Sequence, residues 1–506
     1  MVYVTRRYRN FAPFVCPSAI TLKTLLRPDG SDPVRQRGVQ GQVMAITNQD
    51  TTENANWWLA KKLAGYHPCM SSSTSTAGIV SFEHARRLVE QHAATVCTGE
   101  VETVDLLAGL GRILAEGIRA DRDFPPFNRA TRDGYAVRAA DLVEVPARLE
   151  VIGEIKAGDW PESGTCSVGH GQAVAIMTGA PLPAGADAVI MVEHTSVADR
   201  SSGKVDVRRS VNVGENFVPR GTEAHAGQPL LDRGRRLDHA GIAIAASAGK
   251  SRVSVFRKPR VAVLSTGDEV VEIDATPGPA QIRNSNSYSL AAQIESVGGE
   301  AVRLPIAPDE QGRLRALIEE GLQCDLLLLT GGVSMGKYDL VEQVLGELHA
   351  EFYFTGAEIQ PGRPVVFGSC GADTPVGAED GSVANTRAGS PAPHKKYFFG
   401  LPGNPVSTMV TFELFARPMI EALAGETPQK LIFLRARLKS EIRTKTGLKR
   451  FLPAVLSGEF ENAEVELARW QGSGDIATLA RANCYVVIPP DRERIDAGEW
   501  VSLLMR

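Results

Sequence analysis

The spacing of apolar positions changes several times along the chain, and each change marks a new part. Phe82, Ala85, Leu88 and Val89 recur at helical spacing behind Ser81, a good N-cap, so a helix is predicted to begin there. A second helix is read over 106–116. Short β-like runs follow at 149–155, 173–177, 188–192 and 204–207, punctuated by Gly and Pro. The pattern then alternates, with strands at 261–264, 301–306, 326–329, 365–367 and 398–399 and helices at 289–297, 311–321, 340–348 and 406–423. The unbroken Leu run at 326–329 fits a strand covered on both faces. Repeated strand–helix units predict a parallel sheet with helices on both sides. Strand-like runs return at 434–438, 451–456, 465–467, 485–488 and 500–504, enough for a small barrel.

Composition narrows the picture only slightly. A chain of 506 residues is too long for one domain, and 43 % hydrophobic residues can fill several cores. The net charge of -4, from 55 basic and 59 acidic residues, gives no bulk attraction to nucleic acid or membrane. No apolar run approaches the ~20 residues of a membrane-spanning helix. The seven cysteines are scattered without a CxxC pair, which argues for a reducing cytoplasm rather than a disulfide framework or zinc site. Residues 1–80 are basic and poor in pattern, and read as a flexible extension or as sequence ahead of a true start at Met44 or Met70. The Gly-, Ala-, Ser- and Pro-rich stretch 370–396 reads as a mobile insertion in the alternating region.

Candidate chemistry gathers where a parallel sheet places its ligands, at the carboxyl ends of strands. STGDE (265–269) follows one strand, and its acids Asp268 and Glu269 could hold Mg²⁺ or merely form a Gly-Asp turn. TGGVSMGKYD (330–339) offers Gly331 and Gly332 for close backbone approach, Ser334 for a phosphate, and Asp339 as acid or N-cap. QPGRP (360–364) is a stiff turn of Gln360, Pro361, Gly362 and Arg363, and its arginine suits an oxyanion. FGLPGNPVS (399–407) brings Pro402, Gly403, Asn404, Pro405 and Ser407 to a helix N-terminus that favours anions. Together these loops point to a phosphate-bearing ligand. In the β-rich stretch, Asp133 before Gly134 and Thr178 after a strand read by themselves as turn residues.

The strings DGYAVRAADL, TGAPLPAGADAVIMVE, VAVLSTGDEV, GGVSMGKYD, PGRP and GLPGNPVS occur in this order. In them the chain resembles the molybdopterin molybdotransferases, the family that includes the C-terminal domain of gephyrin, from about residue 82 onward. The resemblance implies a multidomain α/β and β fold. It divides into an extended helical linker domain (81–122 with 214–252), a β-rich insert (123–213), a doubly wound molybdopterin-binding α/β domain (253–427) and a C-terminal β-barrel-like domain (428–506). It implies a cytoplasmic homodimer with clefts shared between subunits, and other cofactor-biosynthesis proteins as partners.

The implied reaction uses adenylated molybdopterin, molybdate and Mg²⁺, and releases AMP. By motif, Glu269, Asp309 and Asp339 match the functional acids of the α/β domain, with Glu269 and Asp339 as metal ligands, and Asp133 and Thr178 match those of the insert. Glu223 is a looser match, and Ser473 in QGS matches a functional serine of the last domain. The family's nearby arginine falls on Pro453, for which Lys449 or Arg450 could substitute. The rival readings are an adenylyltransferase, which would resemble the α/β part alone, and a non-catalytic molybdopterin carrier or scaffold.

Overall fold

The computed structural model describes residues 78–96, 99–160, 167–196, 203–332, 340–371, 395–427 and 429–506. Ser334, Asp339, nearly all of the front 1–80 and most of the insertion 370–396 lie outside the described residues.

The α/β part is built on a six-stranded sheet in the order Glu300–Arg303, Arg260–Ser265, Leu326–Thr330, Lys396–Leu401, Val366–Cys370 and Glu351–Phe354. Every residue of Leu326–Thr330 is buried. Its side chains alternate between two cores. Leu326 and Leu328 pack with helices Ser285–Ser296 and Arg417–Leu423, while Leu327 and Leu329 pack with Gln311–Gly321 and Leu340–Glu347. Full burial of each such leucine stabilises by roughly 1.5–3 kcal/mol.

The sheet is not wholly parallel, as the pattern had implied. Val366–Cys370 runs antiparallel to both of its neighbours. No crossover helix separates Glu351–Phe354 from Val366–Cys370, and a short return makes an antiparallel pair. The strand Glu351–Phe354 went unread because Phe352, Tyr353 and Phe354 follow one another without the alternation that marks a half-buried strand.

The helix expected at 106–116 does not form. One 3-10 turn, Leu106–Gly109, follows the strand Val101–Asp105, and Leu114 bridges Val255 instead. Gly111 has φ 76°, outside the helical region, so the apolar spacing here serves a ribbon packed on helix His239–Ser247. The helix expected at 406–423 is broken by a π turn, Phe412–Ala416, between Pro405–Thr411 and Arg417–Leu423. Pro418 has no N–H to give the Leu414 carbonyl, and the buried Arg86 guanidinium bonds that carbonyl instead. Arg86 belongs to helix Phe82–Ala93, which Ser81 caps as predicted and which packs into the α/β core through Phe82, Ala85 and Val89.

The insert is a six-stranded sheet in the order Ala188–Met191, Gly134–Val137, Gln172–Ile176, Ala147–Ile155, Lys204–Val207 and Thr195–Ser196. Gly134 is therefore the start of a strand, not half of a turn. A Cβ there would overlap the Ile190 backbone, so glycine is needed for the strands to approach. At the C-terminus five strands close into a barrel. Lys449–Ser457, Glu464–Leu467, Phe433–Leu438, Trp500–Met505 and Cys484–Ile488 pair in turn, and the last pairs back with the first. Ile359–Gln360 adds to its rim beside Lys449 and Arg450, which ties the QPGRP loop to the barrel.

Candidate active site

A small open cleft lies at the carboxyl ends of the strands Arg260–Ser265 and Leu326–Thr330. Its lining includes Ser265, Thr266, Glu269, Asn286, Thr330, Gly331, Gly403 and Pro405. Three of the loops singled out in the sequence thus meet. Backbone contact holds them: the Thr266 N–H donates to the Thr330 carbonyl at 3.0 Å. Gly331 and Gly332 have φ of 92° and 61°, and a Cβ on Gly331 would stand 2.6 Å from the Thr266 carbonyl oxygen. Gly403 is close enough that its Cβ would lie 3.5 Å from Gly331 Cα.

The segment Asn284–Asn286 was missed by the sequence reading, which began the helix at 289. Asn284 caps that helix: its Oδ1 accepts from the Ser287 N–H at 3.2 Å and from the Ser265 hydroxyl at 2.9 Å. An Asn ahead of an apolar period is a strong N-cap signal and could have moved the start. Asn286 braces the floor, with Nδ2 donating to Thr330 Oγ1 at 2.9 Å and to the Gly403 carbonyl at 2.8 Å. Thr266 Oγ1 and Asn286 Oδ1 are buried without a hydrogen-bond partner among the described residues.

The acids sit at one side. The Asp309 N–H donates to Asp268 Oδ1 at 3.1 Å. Burial, and then the charges of Asp268 and Glu269, hold the Asp309 carboxyl above its ordinary pKa. Among the described residues no three His, Cys, Asp or Glu side chains are grouped closely enough to cage a metal ion.

The remaining candidates fall into two places. Around helix Pro405–Thr411, Pro405 takes the first helical position, but the Asn404 side chain makes no capping bond. The Val406 N–H, one of the donors offered to an anion, is taken by the Ser473 carbonyl at 2.9 Å, so the QGS loop abuts this helix start. Pro402 ends its strand with a carbonyl that accepts from Thr330 Oγ1 at 3.2 Å. Ser407 is buried. Pro361 and Gly362 are buried, with Gly362 at φ 100° against Thr411, while Gln360 and Arg363 are exposed. Of the two proposed replacements at Pro453, Lys449 is ion-paired with Glu83 and lies over the Phe82 ring. Arg450 is only 8 % exposed and gives Nη1 to the Leu448 carbonyl at 3.1 Å, with no carboxylate partner among the described residues.

Asp133 and Thr178 meet on the insert and do not line the cleft. The Thr178 N–H donates to Asp133 Oδ1 at 2.7 Å, and that bond with one from the Thr178 side chain lowers the Asp133 pKa. Glu223 is engaged by Arg129 at 3.4 Å.

Comparison with known proteins agrees with this arrangement along almost the whole described chain. Family models match in order: the MoeA N-terminal region (domain I and II) over residues 80–249, a probable molybdopterin binding domain over 262–422 and the MoeA C-terminal region (domain IV) over 435–505. Molybdopterin molybdenumtransferase of a Nostoc species is 33 % identical over 453 residues, covering 88 % of this chain and 95 % of the relative. That of Bacillus subtilis is 33 % identical over 429 residues, covering 82 % and 93 %. The crystal structure of a molybdopterin biosynthesis MoeA protein from Pyrococcus horikosii superposes with a TM-score of 0.60 at 34 % identity, covering 84 % of this chain and 99 % of that one. With the α/β cleft, the insert and the barrel all matched in one order, the chain belongs to the molybdopterin molybdenumtransferase (MoeA) family.

Proposed function

We propose that this chain inserts molybdenum from molybdate into adenylated molybdopterin, cleaving its pyrophosphate and releasing AMP. The observation that carries this is the convergence of the glycine-rich, hydroxyl-rich and acidic loops on one cleft at the strand ends. Gly331 and Gly332 let phosphate oxygens approach the backbone, with Ser334 beside them in sequence. Thr266 Oγ1 and Asn286 Oδ1, without a partner among the described residues, suit a ligand rich in hydrogen-bonding groups. Gly403 and Pro405 line the same cleft, and Pro402, Asn404 and Ser407 belong to the loop and helix start that carry them. Gln360, Arg363, Arg450 and Ser473 would serve molybdate: Gln360 pairs with Arg450 at the barrel rim, and the Ser473 loop abuts the start of helix Pro405–Thr411.

Glu269 and Asp339 would hold Mg²⁺, and Asp309, whose carboxyl feels the charge of Glu269, is the third functional acid. The absence of a three-ligand cage among the described residues is compatible with Mg²⁺, which commonly uses one or two carboxylates and completes its shell with phosphate oxygens and water. When bound it would neutralise pyrophosphate charge and stabilise the leaving phosphate.

The working unit is a homodimer, with Asp133 and Thr178 of one subunit serving the α/β cleft of the other. Helix His239–Ser247 is apolar along its length, yet Ala243 and Ala246 are exposed, and Leu107 and Leu110 beside it are 80 % and 61 % exposed. An apolar helix at a surface calls for a partner. The setting is the cytoplasm, and no helix among the described residues is long and apolar enough to cross a membrane.

The test is AMP release from adenylated molybdopterin under anaerobic conditions, with and without molybdate and Mg²⁺, in wild type, Glu269→Ala and Asp339→Ala. AMP formed only with molybdate, and lost in both variants, supports the reading. Tight binding without AMP release would leave a carrier.

A further inference from the structure

The end of the insert that carries Asp133 and Thr178 also presents an aromatic pair. Trp160 is 69 % exposed. Phe127 meets it in a T-shaped contact, with centroids 5.9 Å apart and planes at 69°. Local hydrogen bonds fix the segments that carry both rings. Asp159 closes a turn under Trp160: its Oδ2 accepts the Lys156 N–H at 2.9 Å, and its N–H donates to the Lys156 carbonyl at 3.0 Å. Ala157 of that turn lies against the loop after Thr178, since a Cβ on Gly179 would stand 3.6 Å from the Ala157 methyl. Phe127 is tied to the same loop by its neighbour Asn128, whose carbonyl accepts the Leu182 N–H at 2.8 Å and whose Oδ1 accepts the Arg220 N–H at 2.9 Å.

The segments carrying Phe127, Trp160 and Thr178 therefore close on one end of the sheet. Among the described residues no buried packing requires a tryptophan there, and the contact with Phe127 leaves much of the indole exposed. An exposed indole backed by a second ring, at the sheet end that carries Asp133 and Thr178, is suited to stacking on a flat nitrogen heterocycle, whatever its hydrogen-bonding edge. The substrate class proposed above contains two such rings, the pterin and the adenine.

We propose that Trp160, backed by Phe127, is a stacking platform that positions a planar heterocycle of the adenylated pterin beside Asp133 and Thr178. This deepens the function proposed above and rests on it.

The experiment titrates adenylated molybdopterin, AMP and free pterin into the intact full-length protein, following heat and tryptophan emission, for wild type, Trp160→Phe and Trp160→Ala. Stacking predicts quenching in wild type that both variants lose. Affinity should stay within about threefold in Trp160→Phe and fall about tenfold or more in Trp160→Ala. A loss seen with AMP assigns the platform to adenine, and a loss seen with pterin assigns it to the pterin. Unchanged affinity in Trp160→Ala overturns the proposal. So does weaker binding that tracks a change in sedimentation, which would put Trp160 in a protein contact. If wild type binds and releases AMP while Trp160→Ala matches it, only the platform fails; if wild type binds none of the three, the functional reading fails with it.

Discussion

At the scale of single residues, the acids make the sharpest statement. Burial and the neighbouring Asp268 and Glu269 raise the Asp309 pKa, so the folded state binds this proton more tightly than the unfolded chain does. Its contribution to stability is then favourable at low pH and is lost as pH rises from the unfolded value, about 3.9, through the raised folded one. Asp309→Asn should raise the melting temperature at neutral pH and blunt any stabilisation by added Mg²⁺, both read by thermal unfolding with and without the metal. A lower melting temperature with an unchanged Mg²⁺ response would show that the carboxyl is not held under repulsion. Arg450 makes the complementary case: a buried guanidinium without a carboxylate favours an anion from solution. Arg450→Ala should raise the molybdate concentration needed for half-maximal AMP release about tenfold, the worth of one charged hydrogen bond. Binding of adenylated molybdopterin alone should barely change.

At the scale of elements, the helix N-terminal to the α/β domain does more than fill space. Arg86 supplies to the Leu414 carbonyl the hydrogen bond that Pro418 cannot, and it pairs with Glu90 at 2.7 Å. Arg86→Met keeps the apolar stem but leaves a buried carbonyl unsatisfied. It should lower stability by roughly 1–3 kcal/mol in urea unfolding, and Arg86→Lys should recover part of the loss. Because helix Pro405–Thr411 stands on the same core and carries the PGNP loop, Arg86→Met should also weaken substrate binding. A variant as stable as wild type would show that the carbonyl finds another donor.

At the scale of the molecule, the described chain forms one cleft with its own α/β loops but leaves Asp133 and Thr178 out of the lining. A shared site in a symmetric dimer gives a distinctive result. Glu269→Ala and Asp133→Ala should each be inactive alone. After mixing and subunit exchange they should regain roughly a quarter of wild-type AMP release, because random pairing makes half the dimers mixed and each mixed dimer has one intact cleft. No recovery despite proven exchange would place both groups in one subunit's cleft. Replacing Leu107 and Leu110 with Glu should abolish dimerisation and activity together, which a merely surface location would not do.

Much of this was legible in the sequence, for identifiable reasons. Periods of two and of 3.6 are written by side chains that must face a core, so Gln311–Gly321, Lys204–Val207 and the five barrel strands could be read locally. The loops STGDE, TGG and PGNP could be read because only Gly, Pro and small polar residues tolerate tight strand-end turns. What the chain could not state locally was decided by contacts distant in sequence. Residues 106–116 have helical spacing, yet pairing with 252–256 makes Val101–Asp105 a ribbon followed by a single turn. Gly134 reads as a turn until the Ile190 backbone closes against it. Lys449 and Arg450 are neighbours of like charge, and only tertiary packing ties one to Glu83 and buries the other beside Gln360. Local chemistry sets which conformations a segment tolerates; the sheet direction, the meeting of the loops at the cleft and the charge left unpaired are settled by packing between segments far apart in the chain.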